Sequence, residues 1–423
     1  MSARSGDRVR EDARAGVRWH SLHVHHHDAA AEPALILDAV RPAFDAVRPW
    51  TKAAWFGRHW LRGPHLRLNF LAETGDWENR VRPGVTAVVA DHLRAHPSTA
   101  LLDETALAPA HARLAELEME TGTRHPWVAD NCVREQPYDH RLPVLGSLTA
   151  SELLAGFLSD TNGLAFAAYA HMRTGEDALP VLALDLMWAT VAAASIPFDA
   201  DGDPIERGFL SLRSHADAFL SRTSDPGGYR RAFDTRFLRQ REALSERLRA
   251  VERTLSEGGA GTDGDVPFVA EWARTVRRHQ RLAHPLMAAG EVSMDAAKAA
   301  PRMPTRQVSE FHELLRSDHG HTGFLREDHW FASFRLVMNY LYVHLGRLGL
   351  TPVDRGLLCH LASHTVEAVH GVGAVDSFRR YVVAGPGSGG ADGGGEGGEG
   401  GGEDRDGRPE WARLGTEWAD GQA

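Results

Sequence analysis

The stretch Trp55-Phe-Gly-Arg-His-Trp-Leu-Arg-Gly-Pro-His-Leu-Arg-Leu-Asn-Phe70 decides how the first part of the chain is read. From His65 onward it alternates, with His65, Arg67 and Asn69 on one side and Leu66, Leu68 and Phe70 on the other. Successive side chains of a strand point to opposite faces, so this pattern predicts a half-buried strand. Gly63-Pro64 supplies a turn before it, and Ala53 to His59 supplies a partner, so the segment reads as a hairpin. Arg58, His59 and Arg62 join His65 and Arg67 as donors suited to gripping carboxylates, phosphates or peptide carbonyls. The plainer alternative is a solvated sheet face, because arginine at alternate positions is common on exposed strands.

Outward from the hairpin, Trp19 to His25 has the same period-two pattern and predicts a first strand, with a helix from Glu32 to Val47 between them. Trp77 to Arg94 reads as a helix with Pro83 in its first turn or at a kink. A strand or two near Thr123 to Glu135 would extend the sheet. Helices are expected over Thr149–Arg173, opened by a Thr149/Glu152 capping box, and over Ala178–Ala194, Ile205–Ser221, Tyr229–Glu257 and Phe268–Leu286. Two more follow over His329–Leu348 and Pro352–His370. Strands early and helices late give an α+β class: an N-terminal antiparallel sheet with helices packed on it, and a helix-rich second half. Residues 1–18 read as a flexible arm, 19–383 as a single catalytic domain, and 384–423 as a disordered tail dominated by Gly, Glu and Asp. Within that tail Trp411 and Trp418 could dock back as a short helix, and Gly258 to Gly264 reads as a loop.

With 423 residues, 43% of them hydrophobic, the chain can build a substantial core. A net charge of −10 gives no general attraction to nucleic acid. The only cysteines, Cys132 and Cys359, cannot form a disulfide framework, and a reducing cytoplasm is the simplest compartment. Met1 to Arg18 lacks the apolar stretch of a secretory signal, and no run of about 20 apolar residues suggests a membrane span. No phosphate-cradling loop, dinucleotide fingerprint or nucleophile elbow is present.

A second informative segment is Ser333-Phe-Arg-Leu-Val-Met-Asn-Tyr-Leu-Tyr-Val-His-Leu-Gly-Arg347. On a helix Arg335, Asn339, Tyr342 and Gly346 share one face, and Ser333, Tyr340, His344 and Arg347 a neighbouring one. Polar groups on an otherwise apolar helix need partners, which either a cavity for a polar substrate or structural hydrogen bonds would supply. His23, His25 and His27 fall on one face of the first strand, and His360, His364 and Glu367, with Cys359 adjacent, have metal-ligand spacing on a helix. The second set lacks the glutamate directly after the first histidine that a zinc peptidase uses, and no metal is expected at either.

Taken together, Trp19, the block from Arg58-His59-Trp60 to Gly63-Pro64-His65-Leu66-Arg67-Leu68, the Arg134-Glu135 region and the helix from Tyr342 to Arg347 resemble, in this order, the lantibiotic dehydratase C-terminal (elimination) family. The resemblance covers about residues 19–372. Glutamate-eliminating members carry a block like Arg-Tyr-x-Asp-x-x-x-His-Leu-Arg and a His-Met pair shortly before Asn-Arg. Here Tyr342 stands at the elimination histidine and Gly346 at the asparagine. The resemblance therefore implies the thiopeptide pyridine synthase branch, which needs neither redox cofactor nor metal. In that branch two dehydroalanines of a leader-bearing, azole-rich precursor peptide join by formal [4+2] cycloaddition, with loss of water and the leader. It further implies Tyr342, His344, Ser333, Asn339 and Tyr340 as catalytic candidates. Arg58, His59, Arg62, His65, Arg67, Arg134 and Arg347 are implied to bind substrate. The precursor peptide is the expected partner, along with other enzymes of the pathway, and neither nucleic acid nor membrane is. A glutamate-elimination lyase and a non-catalytic peptide-binding scaffold are the alternative readings, and a tRNA-dependent ligase is disfavoured.

Overall fold

A computed structural model describes residues 16–195, 204–256, 265–294, 308–317 and 328–384. The expectations for the arm before Gly16, the Gly258–Gly264 loop, the tail after Ala384 and its two tryptophans lie outside those residues. Antiparallel strands β1 (Val17–His25), β2 (Ala53–His59), β3 (His65–Glu73) and β4 (Cys132–Gln136) form one sheet in the order β2-β3-β1-β4. The sheet begins at Val17, inside the stretch expected as an arm, because Val17 pairs with Glu73.

The register follows the alternation. His25 lies opposite His65, His23 opposite Arg67, and His65 opposite His59. Leu22, Val24, Phe56, Leu66, Leu68 and Phe70 occupy the opposite face and are 2% exposed or less. Each such side chain contributes about 1.5–3 kcal/mol by leaving water. They pack against α1, which runs through Glu32–Leu35, a π turn at Ile36–Val40 and Arg41–Val47, and against α2 (Arg82–Ala95). Pro83 sits in the first turn of α2, where its missing N–H costs nothing. Helix α3 (Glu104–Leu117) was not legible in the sequence: Pro109 lies inside it, and its N-cap is Asp103, which accepts from the Thr105 and Ala106 N–H groups.

The expected helix over Thr149–Arg173 is two helices, α4 (Leu148–Asp160) and α5 (Asn162–Thr174). Its N-cap is Ser147, which accepts from the Ala150 N–H, and not Thr149. Glu152 instead accepts a hydrogen bond from the Trp19 indole at 3.1 Å, tying α4 to the edge of β1. The break falls at Thr161, whose hydroxyl donates to the Phe157 carbonyl.

Helices α6 (Leu179–Ala194), α7 (Pro204–Leu220), α8 (Pro226–Ser256), α9 (Val269–Ala288), α10 (Glu310–Ser317), α11 (His329–Arg347), α12 (Pro352–His370) and α13 (Ala374–Ala384) follow, and short helical turns at Thr74–Asp76, Trp77–Val81 and Leu142–Leu145 join the earlier elements. Helix α6 is apolar on all sides and buried for most of its length, and α7, α8, α9, α11 and α12 surround it. Its one charge, Asp185, is held by two hydrogen bonds from Arg247 of α8, at 2.9 and 2.7 Å. Close approach of α7 and α12 depends on Gly356, where a Cβ would meet the Phe219 ring at 2.5 Å. One hydrophobic cluster runs from Leu22 through Phe378, joining the sheet layer to the helices.

Candidate active site

Of the expected site residues, the structure gathers one group on the face of the sheet away from the core and places Tyr342 in a second group on α11. The first is the outward face of the sheet, where His23 and His25 of β1, His59 of β2 and His65 and Arg67 of β3 come together. The His65 ring lies 4.5 Å from His23, 4.7 Å from His25 and 5.4 Å from His59, centroid to centroid. The Nδ1–H of His65 donates to the Gly63 carbonyl at 2.8 Å, which fixes the tautomer and leaves Nε2 as an acceptor. Arg67 pairs with Asp139 at 3.1 Å. Burial tends to raise the Asp139 carboxyl, but the Arg141 N–H and the Arg67 guanidinium outweigh it and hold it below the usual range.

Arg62, with φ of +62°, turns its guanidinium onto the Pro126 carbonyl at 3.0 Å. Arg134 is exposed on β4 opposite His23. At the far end of the same face Tyr138 stacks on Trp19 and meets Trp55 edge-on. Burial, reinforced by Arg67 and His25, pushes His23 down to about 3, and burial with His27, Arg62 and Arg134 takes His25 to about 4. Burial does the same to His59 and His65, again helped by Arg67. The face therefore carries neutral imidazoles among the guanidiniums of Arg62, Arg67 and Arg134, groups that hydrogen-bond amides well.

His23, His25 and His65 bring ligand atoms within 4.8 Å of one another, so they could hold a cation. Arg62, Arg67 and Arg134 disfavour one there. His27, which alternation placed with His23 and His25, pairs instead with Asp130.

Arg58 is not part of this face. It falls on the helix side of β2, forms an ion pair with Glu32 at 2.7 Å, and lies against Gly349. Gly349 has φ of +100°, and a Cβ there would come within 2.9 Å of the guanidinium. The hairpin donors were read as one group because they are close in sequence, but strand parity separates Arg58 from the rest.

The second cluster is built on α11. The Tyr342 hydroxyl lies 2.5 Å from Nδ1 of His215 on α7 and 3.5 Å from the Cys359 sulfur on α12. The Arg355 guanidinium sits 4.8 Å from the Tyr342 ring centroid. Burial, then Arg355, Arg335 and His312, drive His215 down to about 3. Burial and Cys359 push the Tyr342 phenol well above its ordinary value. The phenol therefore donates and the neutral imidazole accepts. Beside them Ser214 and His312 Nε2 approach to 3.1 Å. This is a proton donor and a proton acceptor in contact, within the field of two arginines. The sequence placed Arg335 with Tyr342 on one helix face, and the structure keeps them together. It did not find His215, Ser214, His312 or Arg355, because no local pattern brings α7, α10 and α12 to α11.

The remaining helix candidates serve the core. His344 lies against Trp272 and accepts from Arg347 at 2.7 Å. Ser333 donates to the Trp330 carbonyl of its own helix, and Tyr340 packs on Phe157. Asn339 is half-buried. Arg347, expected to bind substrate, is 3% exposed and donates to the carbonyls of Leu158 and Thr161 and to the Thr161 hydroxyl. It closes the break between α4 and α5.

One consequence is acid lability. Histidines such as His23, His215 and His360, all held near 3, are neutral when folded and protonated when unfolded between about pH 6.5 and 3. The unfolded chain binds more protons there, so stability is complete above pH 6.5 and falls as pH drops towards the folded values. Each buried histidine contributes on the order of 1 kcal/mol per pH unit. Urea unfolding at pH 7.5 and pH 5.0 should show a large loss at the lower pH, and equal midpoints would contradict the neutral assignment.

Comparisons with known proteins give the family and the fold. The family described as lantibiotic biosynthesis dehydratase C-term matches residues 19–366. The structure is similar to that of a pyridine synthase, TbtD, from thiomuracin biosynthesis, with TM-score 0.67 and 35% identity, covering 84% of this chain and 100% of that one. It is also similar to the crystal structure of TsrL, with TM-score 0.64 and 23% identity, covering 86% of this chain and 98% of that one, which supports the fold. No curated protein matches. Among the described residues no helix is long and apolar enough to cross a membrane.

Proposed function

Because the chain belongs to the lantibiotic dehydratase C-terminal family, we propose that its two polar clusters divide the work of a peptide-modifying enzyme between substrate docking and proton transfer. The protein is a thiopeptide pyridine synthase. The observation that carries this is the 35% identity to a pyridine synthase across all of that protein's length. The identity is accompanied in this chain by a buried phenol–imidazole pair.

The reaction joins two dehydroalanines of one precursor peptide. One reacts as the imidic tautomer of its amide, a 2-azadiene, and the other as the dienophile. Two new bonds close a six-membered ring. The ring then loses a hydroxyl and a proton as water, and expels the leader peptide as its amide to become aromatic. Every step after docking makes or breaks a bond between groups already held together, with proton transfers alongside, and good orientation alone is worth about 7–11 kcal/mol. Tyr342 gives a proton to the departing hydroxyl and recovers it through His215, a reading that rests on their 2.5 Å contact. Arg355 and Arg335 stabilise charge that develops on the carbonyl oxygens. The neutral imidazoles and Arg67 on the sheet face bind peptide amides of the precursor.

The test is mass spectrometry of the purified protein with a leader-bearing peptide that contains azoles and two dehydroalanines. Leader amide and a dehydrated macrocycle are expected. Unchanged peptide, together with conversion of a glutamylated peptide to dehydroalanine, would show an elimination lyase instead.

A further inference from the structure

The geometry points to a site for a divalent transition metal of the zinc class, bridging α8 and α12 on the helical side of the molecule and separate from the Tyr342 pair. Asp234 of α8 and His360 and His364 of α12 place ligand atoms within 4.8 Å of one another. The two histidines are one turn apart, as a helix presents a pair of ligands to one ion, and their rings lie 4.2 Å apart. The third ligand comes from the facing helix, which is what a bridging metal requires.

The side chains are already set for coordination. Nδ1 of His364 lies 2.7 Å from Glu367, so the carboxylate takes that N–H and leaves Nε2 with its lone pair free to bind. Nε2 is buried and makes no hydrogen bond. A carboxylate behind a ligating imidazole is the usual outer-shell support for zinc. His360 is fully buried, and Nε2 lies 3.0 Å from an Asp234 oxygen without hydrogen-bond geometry. Donors on a tetrahedral zinc sit about 3.3 Å apart, given Zn–N and Zn–O distances near 2.0–2.1 Å. Phe233 and Phe237 flank the two rings, shielding the site on one side. Asp234 is 50% exposed and leaves a path for the ion and a water as fourth ligand.

Local charge agrees. Arg213 bridges Asp217 and Glu367, and Arg230 pairs with Asp217, so both cations have carboxylates of their own. Asp234 has the His360 imidazole beside it. A divalent cation would supply the opposite charge and satisfy the His364 nitrogen, whose burial without a partner is otherwise unfavourable. The same sequence spacing had suggested His360, His364 and Glu367. The fold instead brings in Asp234 as the ligand and leaves Glu367 behind His364.

The experiment uses full-length protein, freed of any affinity tag and treated with EDTA, then titrated with Zn²⁺ in competition with a chromophoric chelator. About one equivalent should bind at this site, and Co²⁺ should give the visible absorption of a four-coordinate ion. Asp234→Asn, a half-exposed change that the fold tolerates, and His364→Gln should each weaken binding at least tenfold, and Glu367→Gln about 10–100-fold. Zn²⁺ should raise the Tm of the wild-type protein and leave that of Asp234→Asn unchanged. His65→Asn is the control for the sheet-face histidines. No Zn²⁺ binding, or binding lost in His65→Asn and intact in Asp234→Asn and His364→Gln, would overturn the assignment.

Discussion

Replacing Arg347 with alanine is expected to lower the free energy of unfolding by about 3–5 kcal/mol. The guanidinium is buried, and among the described residues it pairs with no carboxylate. Its NH groups are instead spent on the carbonyls of Leu158 and Thr161, the Thr161 hydroxyl and the His344 ring. Burial, partly offset by Tyr169, brings its proton affinity down to about 9, so the side chain stays charged at neutral pH. Alanine would strand these acceptors without water at the point where α4 stops and α5 begins, and would open a cavity beside Phe56, over which the guanidinium lies at 5.4 Å. Arg347→Lys keeps a charge but loses the fork and should fall between the two. Urea unfolding followed by tryptophan fluorescence measures all three, and a loss under 1 kcal/mol for alanine would remove Arg347 from this role.

Tyr342→Phe is expected to lower kcat by about 10²–10⁴ while leaving KM and the fold nearly unchanged. Phenylalanine keeps the ring under Arg355 and removes only the hydroxyl that meets His215 and Cys359. The stability cost of that hydroxyl is about 1 kcal/mol. His215→Ala should reduce kcat as well, and the double variant should be little worse than either single one, because the two groups move the same proton. Neither group titrates near neutrality, with the phenol pushed up and His215 held near 3, so kcat should be flat from pH 6 to 9. A kcat within threefold of wild type for Tyr342→Phe would mean the proton comes from elsewhere.

Strand alternation and helical periodicity act over neighbouring residues, and the sequence carried them well. The hairpin, the first strand, the outward placement of His65 and Arg67 and the long helices were all legible from spacing. Where they were not, a local signal had been outvoted. Ser147 took the cap that Thr149 with Glu152 had suggested, because Glu152 was drawn to the Trp19 indole 133 residues away. The apparent single helix from Thr149 broke at Thr161, where an arginine from α11 could satisfy the open carbonyls. Pro109 hid α3.

The family was also within reach of the sequence, since its motifs are short runs of residues in a fixed order. The site was only half so. Tyr342 and Arg335 shared a face by helical geometry, but the imidazole that completes the pair comes from α7, 127 residues earlier. His344, Ser333 and Arg347 looked equally chemical on paper, and a polar side chain on an apolar helix has the same sequence signature whether it meets substrate or a backbone carbonyl. What separated them was which neighbour each met once the core closed around α6. That depends on the packing of helices distant in the chain, so sequence by itself determined the elements and the family, and tertiary structure decided which polar groups were left for chemistry.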